Sequence, residues 1–169
     1  MLRAAPVFAT VLLAIAAFGL SSCNGAAPKG AAETASRLLT AAYKNDRVAF
    51  EAEIDRAAVR EDVRRQVNEM ARSKALEVDG GPSEFALDRM ISPDALRLVD
   101  ASGARLTTPP TARQVASLMK VVDTNHACVR DAESPKNCLL TFAKGKDPKW
   151  RLVGMRALDL RIEVAAAGQ

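Results

Sequence analysis

Near residue 120 the apolar residues of this chain change their spacing, and that change narrows the fold more than any other feature of the sequence. Upstream they recur at three and four residues, the period of a helix; downstream they alternate, the period of a strand. Ala35, Leu38, Leu39 and Ala42 make one helical stripe. Asn45-Asp46 breaks it, and Asp46 is placed to cap a short helix carrying Phe50 and Ile54. Asp55 then caps a longer helix with the stripe Val59, Val63, Val67 and Met70, ending by Gly80-Gly81-Pro82. Ser83 caps a short segment with Phe85 and Leu87. Ser92-Pro93 signals a further helix through Leu96, Leu98 and Val99 to about Gly103. Thr111 and Gln114 match a capping box ahead of Val115, Leu118 and Met119.

Past the change, residues 121–130 and 138–144 read as strands flanking the polar loop Ser134-Pro135-Lys136-Asn137. Residues 150–162 alternate, with Trp150, Leu152, Leu158, Leu160 and Ile162 on one face. Helices first and strands last give an α+β fold, with N-terminal helices packed on a C-terminal three-stranded antiparallel β-meander. Apolar residues at 49% and charged residues at 26% are globular proportions. One domain is expected over residues 33–164, with 165–169 as a C-terminal tail.

The N-terminus reads differently. Met1-Leu2-Arg3, an apolar run from Ala4 to Leu20 and small residues beyond it make an export signal over residues 1–22. The run is short and alanine-rich for a stable span, which needs about 20 strongly apolar residues. Leu20-Ser21-Ser22-Cys23 resembles a lipobox, in which the Cys sulfur takes a diacylglycerol before cleavage. That makes Cys23 the lipidation site, and two or more acyl chains hold a protein at a bilayer. The alternative is an ordinary secretory signal with a chance Cys, cut near Ala26-Ala27. By resemblance to other lipoproteins, Asn24 is not the Asp that retains many of them at the inner membrane. The expected location is therefore the periplasmic side of the envelope, the outer membrane favoured over the inner. Residues 23–32 read as the lipidated Cys and a flexible tether.

In the domain, Ala42, Asn45-Asp46, Phe50, Ile54-Asp55, Ala58-Val59-Arg60, Val63 and Gln66-Val67 form one group of positions. Met90-Ile91-Ser92-Pro93-Asp94-Ala95-Leu96 and Trp150-Arg151-Leu152-Val153 form two more. Together they resemble the family of the domain of unknown function 2939, loosely and over most of residues 35–160. Where that pattern has an aromatic after the Asp at position 55, this chain has Arg56. The resemblance implies an exported or lipid-anchored protein and supplies no catalytic residues.

With Cys23 acylated, Cys128 and Cys138 are the remaining thiols. An even pair in an oxidising compartment reads as a disulfide. Pairing the first two strands so that residue numbers sum to 266 would set Cys128 opposite Cys138 and His126 opposite Leu140. Redox catalysis favours Cys-x-x-Cys, and one His with two distant Cys is a poor zinc set, so no metal or cofactor is expected. His126, the single histidine, could act as a general base oriented by Asp123 or Asp131, but no nucleophile accompanies it. Its plainer role is a strand histidine with one hydrogen bond.

Charge excludes one partner class. The net +4 becomes +3 once Arg3 leaves with the signal, 23 basic against 20 acidic, and residues 47–78 hold seven of each sign. Nucleic-acid ligands show a concentrated basic face, so none is expected. Arg56, Arg60, Arg64, Arg65 and Arg72 read as a solvated helix face, with Glu61 and Glu69 each four residues from Arg65. Lys144, Lys146, Lys149 and Arg151 are different: four positive charges against one negative over 144–151, at a hairpin turn. They are the first choice for contact with an anionic surface, although lysines at turns also serve solubility. The leading expectation is a non-enzymatic, lipid-anchored envelope protein that binds an envelope partner or plays a structural role, with the membrane as its partner through Cys23. The alternative is a carrier of a small apolar ligand between helices and sheet, lined by Phe142, Trp150, Leu152 and Leu158; a hydrolase using His126 comes third.

Overall fold

The computed structural model describes residues 28–74 and 81–165. The expected export signal, Cys23, most of the expected tether, Gly80 and residues 166–169 lie outside them. The chain runs α1 (Lys29–Lys44), α2 (Arg47–Ala52), α3 (Arg56–Ser73), α4 (Glu84–Met90), a 3-10 turn (Pro93–Ala95), β1 (Arg97–Val99) and α5 (Ala112–Leu118). It continues with β2 (Met119–Val121), β3 (His126–Arg130), β4 (Cys138–Lys144), β5 (Trp150–Met155) and β6 (Arg161–Glu163). Strands β2-β3-β4-β5 form a four-stranded antiparallel sheet, and β1 pairs with β6 in a separate parallel pair.

The helix starts follow local chemistry. Asp46, Asp55 and Ser83 accept hydrogen bonds from the backbone N–H groups of Ala49, Ala58 and Ala86, and Thr111 with Gln114 closes the capping box. Asn45 ends α1 in the left-handed conformation at φ 54°, where its short polar side chain is tolerated. One stripe of α1 is buried, with Ala31, Ala35, Leu38 and Leu39 at its centre. Ala31 belongs to the core and α1 begins at Lys29, so the last four residues of the expected tether are helix instead.

Three expectations are corrected. Ser92-Pro93 opens only a three-residue 3-10 turn, after which Arg97, Leu98 and Val99 pair with Arg161, Ile162 and Glu163. Leu96 and Leu98 stand two apart and are both buried, so period 2 and the β6 partner prevail over the helix-start signal. The strand expected over 121–130 is split, because Asp123 accepts from the backbone N–H groups of Asn125 and His126 and folds residues 122–125 into a turn. That split makes the sheet four-stranded instead of a three-stranded meander. The run 150–162 is also two strands: Asp159 sits at φ 51°, Leu158 is 54% exposed, and Leu160 and Ile162 turn inward beside β1.

Helices α1 and α3 cover the sheet, and one cluster containing Leu38, Leu39, Phe50, Val59, Phe142 and Leu152 is the core. The free edge of β5 is closed by the chain that enters and forms α3. Leu152 N–H donates to Glu53 O, and Asp55 N–H donates to Leu152 O. Two and three turns along α3, Asp62 accepts from Met155 N–H, and Gln66 bonds Met155 O and Ala157 N–H. Gly154 makes room for this, since a Cβ there would lie 2.9 Å from Asp62 Oδ2. Covered edges cannot recruit a foreign strand.

Candidate functional site at the basic hairpin

Strands β4 and β5 join at a tight turn, with Lys144 opposite Trp150 and Gly145 N–H donating to Lys149 O at 3.3 Å. Lys144, Lys146 and Lys149 are exposed. Arg151 is half-buried and pairs with Asp147 at 3.5 Å, so the sequence-derived patch of four reduces to three lysines outside the ion pairs of the described residues. Trp150 faces inward, 9% exposed, against the first turn of α1. A Cβ on Gly30 would lie 2.8 Å from Trp150 Cδ1, so glycine permits that approach. Thr34 Oγ1 donates to Trp150 O at 3.3 Å. A cleft of about 320 Å³ lies between these elements, lined by Thr34, Arg37, Glu53, Lys149 and Trp150 among others. Arg37 is held there by two hydrogen bonds to Glu53, at 2.6 and 2.9 Å, which keep its guanidinium more firmly protonated than usual. The neighbourhood of Gly30 and Trp150 was not legible in the sequence, for they are 120 positions apart.

The other sequence candidates separate. Cys128 and Cys138 form a disulfide, with Cα atoms 5.6 Å apart. The pairing holds but the expected register does not. Cys128 stands opposite Thr141 and Cys138 opposite Arg130, so the paired numbers sum to 269 and 268, with the one-step change at an irregularity between Val129 and Arg130 that leaves Leu139 as an extra residue on β4. His126 lies opposite Ala143, not Leu140. Its Nδ1 is 2.9 Å from the Asp123 carboxylate on the same exposed turn. That carboxyl is held below the usual range, first by the Asn125 backbone N–H and then by His126. The pair fastens a turn. Asp131 is taken up by Arg156 at 2.9 Å.

The arginines of α3 are not a merely solvated face. Asp88 on α4 accepts from Arg60 Nε at 3.1 Å and Arg56 Nη2 at 2.9 Å, which hold its carboxyl below the usual range, Arg60 foremost. Arg56 also bonds Glu51 and Ile91 O, and Arg64 bonds Glu61 and Glu84. Arg65 pairs with Asp62, one turn back, and not with Glu61 or Glu69. The bonds to Asp88 and Glu84 fasten α4 to α3. Of the four residues expected to line an apolar cavity, Phe142 and Leu152 are fully buried in the core. Trp150 borders the cleft by α1, and Leu158 borders a separate surface cleft of about 480 Å³ with Met70 and Ala157. Among the described residues no three His, Cys, Asp or Glu side chains group as metal ligands, and no helix is long and apolar enough to cross a membrane.

A family model, the Protein of unknown function (DUF2939), matches residues 11–115. The chain belongs to this family. The DUF2939 match takes in α1 through β1 and the start of α5, with the caps at Asp46 and Asp55 and the run Met90–Leu96. It stops before β2, so the likeness at Trp150-Arg151-Leu152-Val153 lies outside it. Searches of the curated proteins and of the solved structures returned no match.

Proposed function

We propose that this DUF2939 protein is a lipid-anchored protein of the bacterial envelope, exported by residues 1–22, held by lipid on Cys23, with a non-enzymatic binding or structural role on the periplasmic side. The outer membrane is favoured over the inner by Asn24. The observation that carries the reading is the fate of the cysteines. The chain has three, and the disulfide takes Cys128 and Cys138, which leaves Cys23 in its Leu20-Ser21-Ser22-Cys23 setting. A disulfide also suits an oxidising compartment outside the cytosol. A binding or structural role is supported by where the polar chemistry goes: Asp123 and His126 fasten a turn, Asp62 and Gln66 close a sheet edge, and Arg56 and Arg60 hold α4.

Cys23→Ala tests the reading. With no acylated sulfur the protein should leave the membrane fraction or accumulate with its signal uncleaved, while the wild type sediments with membranes and partitions into detergent. A Cys23→Ala protein that is processed and stays as firmly membrane-bound as the wild type would overturn the anchor.

A further inference from the structure

The position of the hairpin relative to the start of α1 bears on how the domain would sit on the membrane that holds it. Gly30 packs on Trp150, and Trp150 is paired with Lys144 at the base of the basic turn. The first turn of α1 and the three exposed lysines therefore share one end of the molecule. Lys29, with its side chain 92% exposed, lies at the same end, its ammonium 3.9 Å from Glu33. The acidic groups there are partly occupied, Asp147 by Arg151 and Glu53 by Arg37. Lys44, exposed at the other end of α1, lies about 21 Å from Gly30 along the helix axis.

From Cys23 to Pro28 the backbone makes five steps, so covalent geometry limits their separation to about 18 Å. A lipid on Cys23 would thus hold the hairpin end near the leaflet and let it enter a surface potential that decays over about 8 to 10 Å. Such a tether also supplies a high local concentration, so a weak patch suffices to orient the domain.

We propose that Lys144, Lys146 and Lys149 dock on anionic phospholipid headgroups of the same leaflet that holds the Cys23 anchor, so that the domain stands with the β4–β5 hairpin toward the bilayer and Lys44 away from it. The inference rests on the anchored reading above. The occupant is the bilayer because the chain between Pro28 and Cys23 is too short to carry this end far from it, and because the patch is basic where a leaflet containing phosphatidylglycerol is acidic. Each lysine near such a surface contributes roughly a five-fold change in partitioning at low salt, and less as salt rises.

The test uses the mature, full-length protein in vesicles of phosphatidylethanolamine with phosphatidylglycerol, and in parallel in neutral phosphatidylcholine. Amine acylation is followed by peptide mass spectrometry, which also reads the mass of the N-terminal peptide. Lys144, Lys146 and Lys149 should be labelled several-fold more slowly in the anionic vesicles than in the neutral ones, with Lys44 unchanged. In the Lys146→Glu/Lys149→Glu variant, the protection of Lys144 should disappear while the Lys44 rate, a check on the fold, stays the same. An acylated Cys23 with hairpin lysines labelled equally in both vesicles would overturn the docking and leave the anchor standing, as would protection of Lys44 in place of the hairpin. An unacylated N-terminal peptide would remove both.

Discussion

Reducing the Cys128–Cys138 disulfide should cost the domain a large share of its stability without changing its fold. The cysteines are ten positions apart, and closing a loop of that size in the unfolded chain is worth about 2.8 kcal/mol on the chain-entropy account. For a domain of this size, each kcal/mol moves the melting temperature by about 3 to 4 °C, so the reduced protein should melt about 10 °C lower. The native hairpin keeps its own supports. Asp131 N–H donates to Asn137 O at 3.1 Å, and Leu139, Leu140 and Phe142 remain in the core. Far-ultraviolet circular dichroism of oxidised and reduced protein should therefore give superimposable spectra at low temperature and separated melts. Cys128→Ala/Cys138→Ala should match the reduced wild type, apart from a small loss for trimming the buried Cys128. Superimposable melts would mean that the disulfide adds no stability and that the β3–β4 pairing already persists in the unfolded chain.

The Asp88 latch should show in acid. Asp88 is held below the ordinary carboxylate range by Arg60 and Arg56, so the stability it confers is complete above about pH 4 and is lost as pH falls through the depressed value. In denaturant titrations Asp88→Asn should be less stable than wild type at pH 7, and the gap should narrow by pH 2; a constant gap would dismiss the latch. Gly30→Leu should drive side-chain atoms into the Trp150 indole, costing about 1 to 3 kcal/mol. Because Trp150 is the single tryptophan, its emission should shift to the red, and an unchanged spectrum would show that the contact is slack.

What the sequence made legible was local. Asp46, Asp55, Ser83 and Thr111 were readable as caps because each bonds a backbone N–H within three residues. The α1 stripe was readable because a helix repeats within one turn, and the disulfide because compartment chemistry pairs two thiols whatever the register. Pairings set by distant chain were not. Arg97–Val99 is a strand because β6 lies 64 residues on, and no window around Pro93 contains that partner. The β3–β4 register lies three positions from a direct pairing of the two cysteines and steps once more at the extra Leu139, and alternation alone reveals neither. Arg56 and Arg60 read as solvated because Asp88 was out of helical range. In the candidate site the lysines stood out as a charge run, whereas the loss of Arg151 to Asp147 and the approach of Gly30 to Trp150 needed the fold.

The lipid anchor is tested most directly by the mass of the mature N-terminal peptide recovered from bacterial envelopes. A peptide beginning at Cys23 and carrying a diacylglyceryl group on its sulfur is expected. A peptide beginning after Cys23, or one beginning at Cys23 with a free thiol, would contradict it.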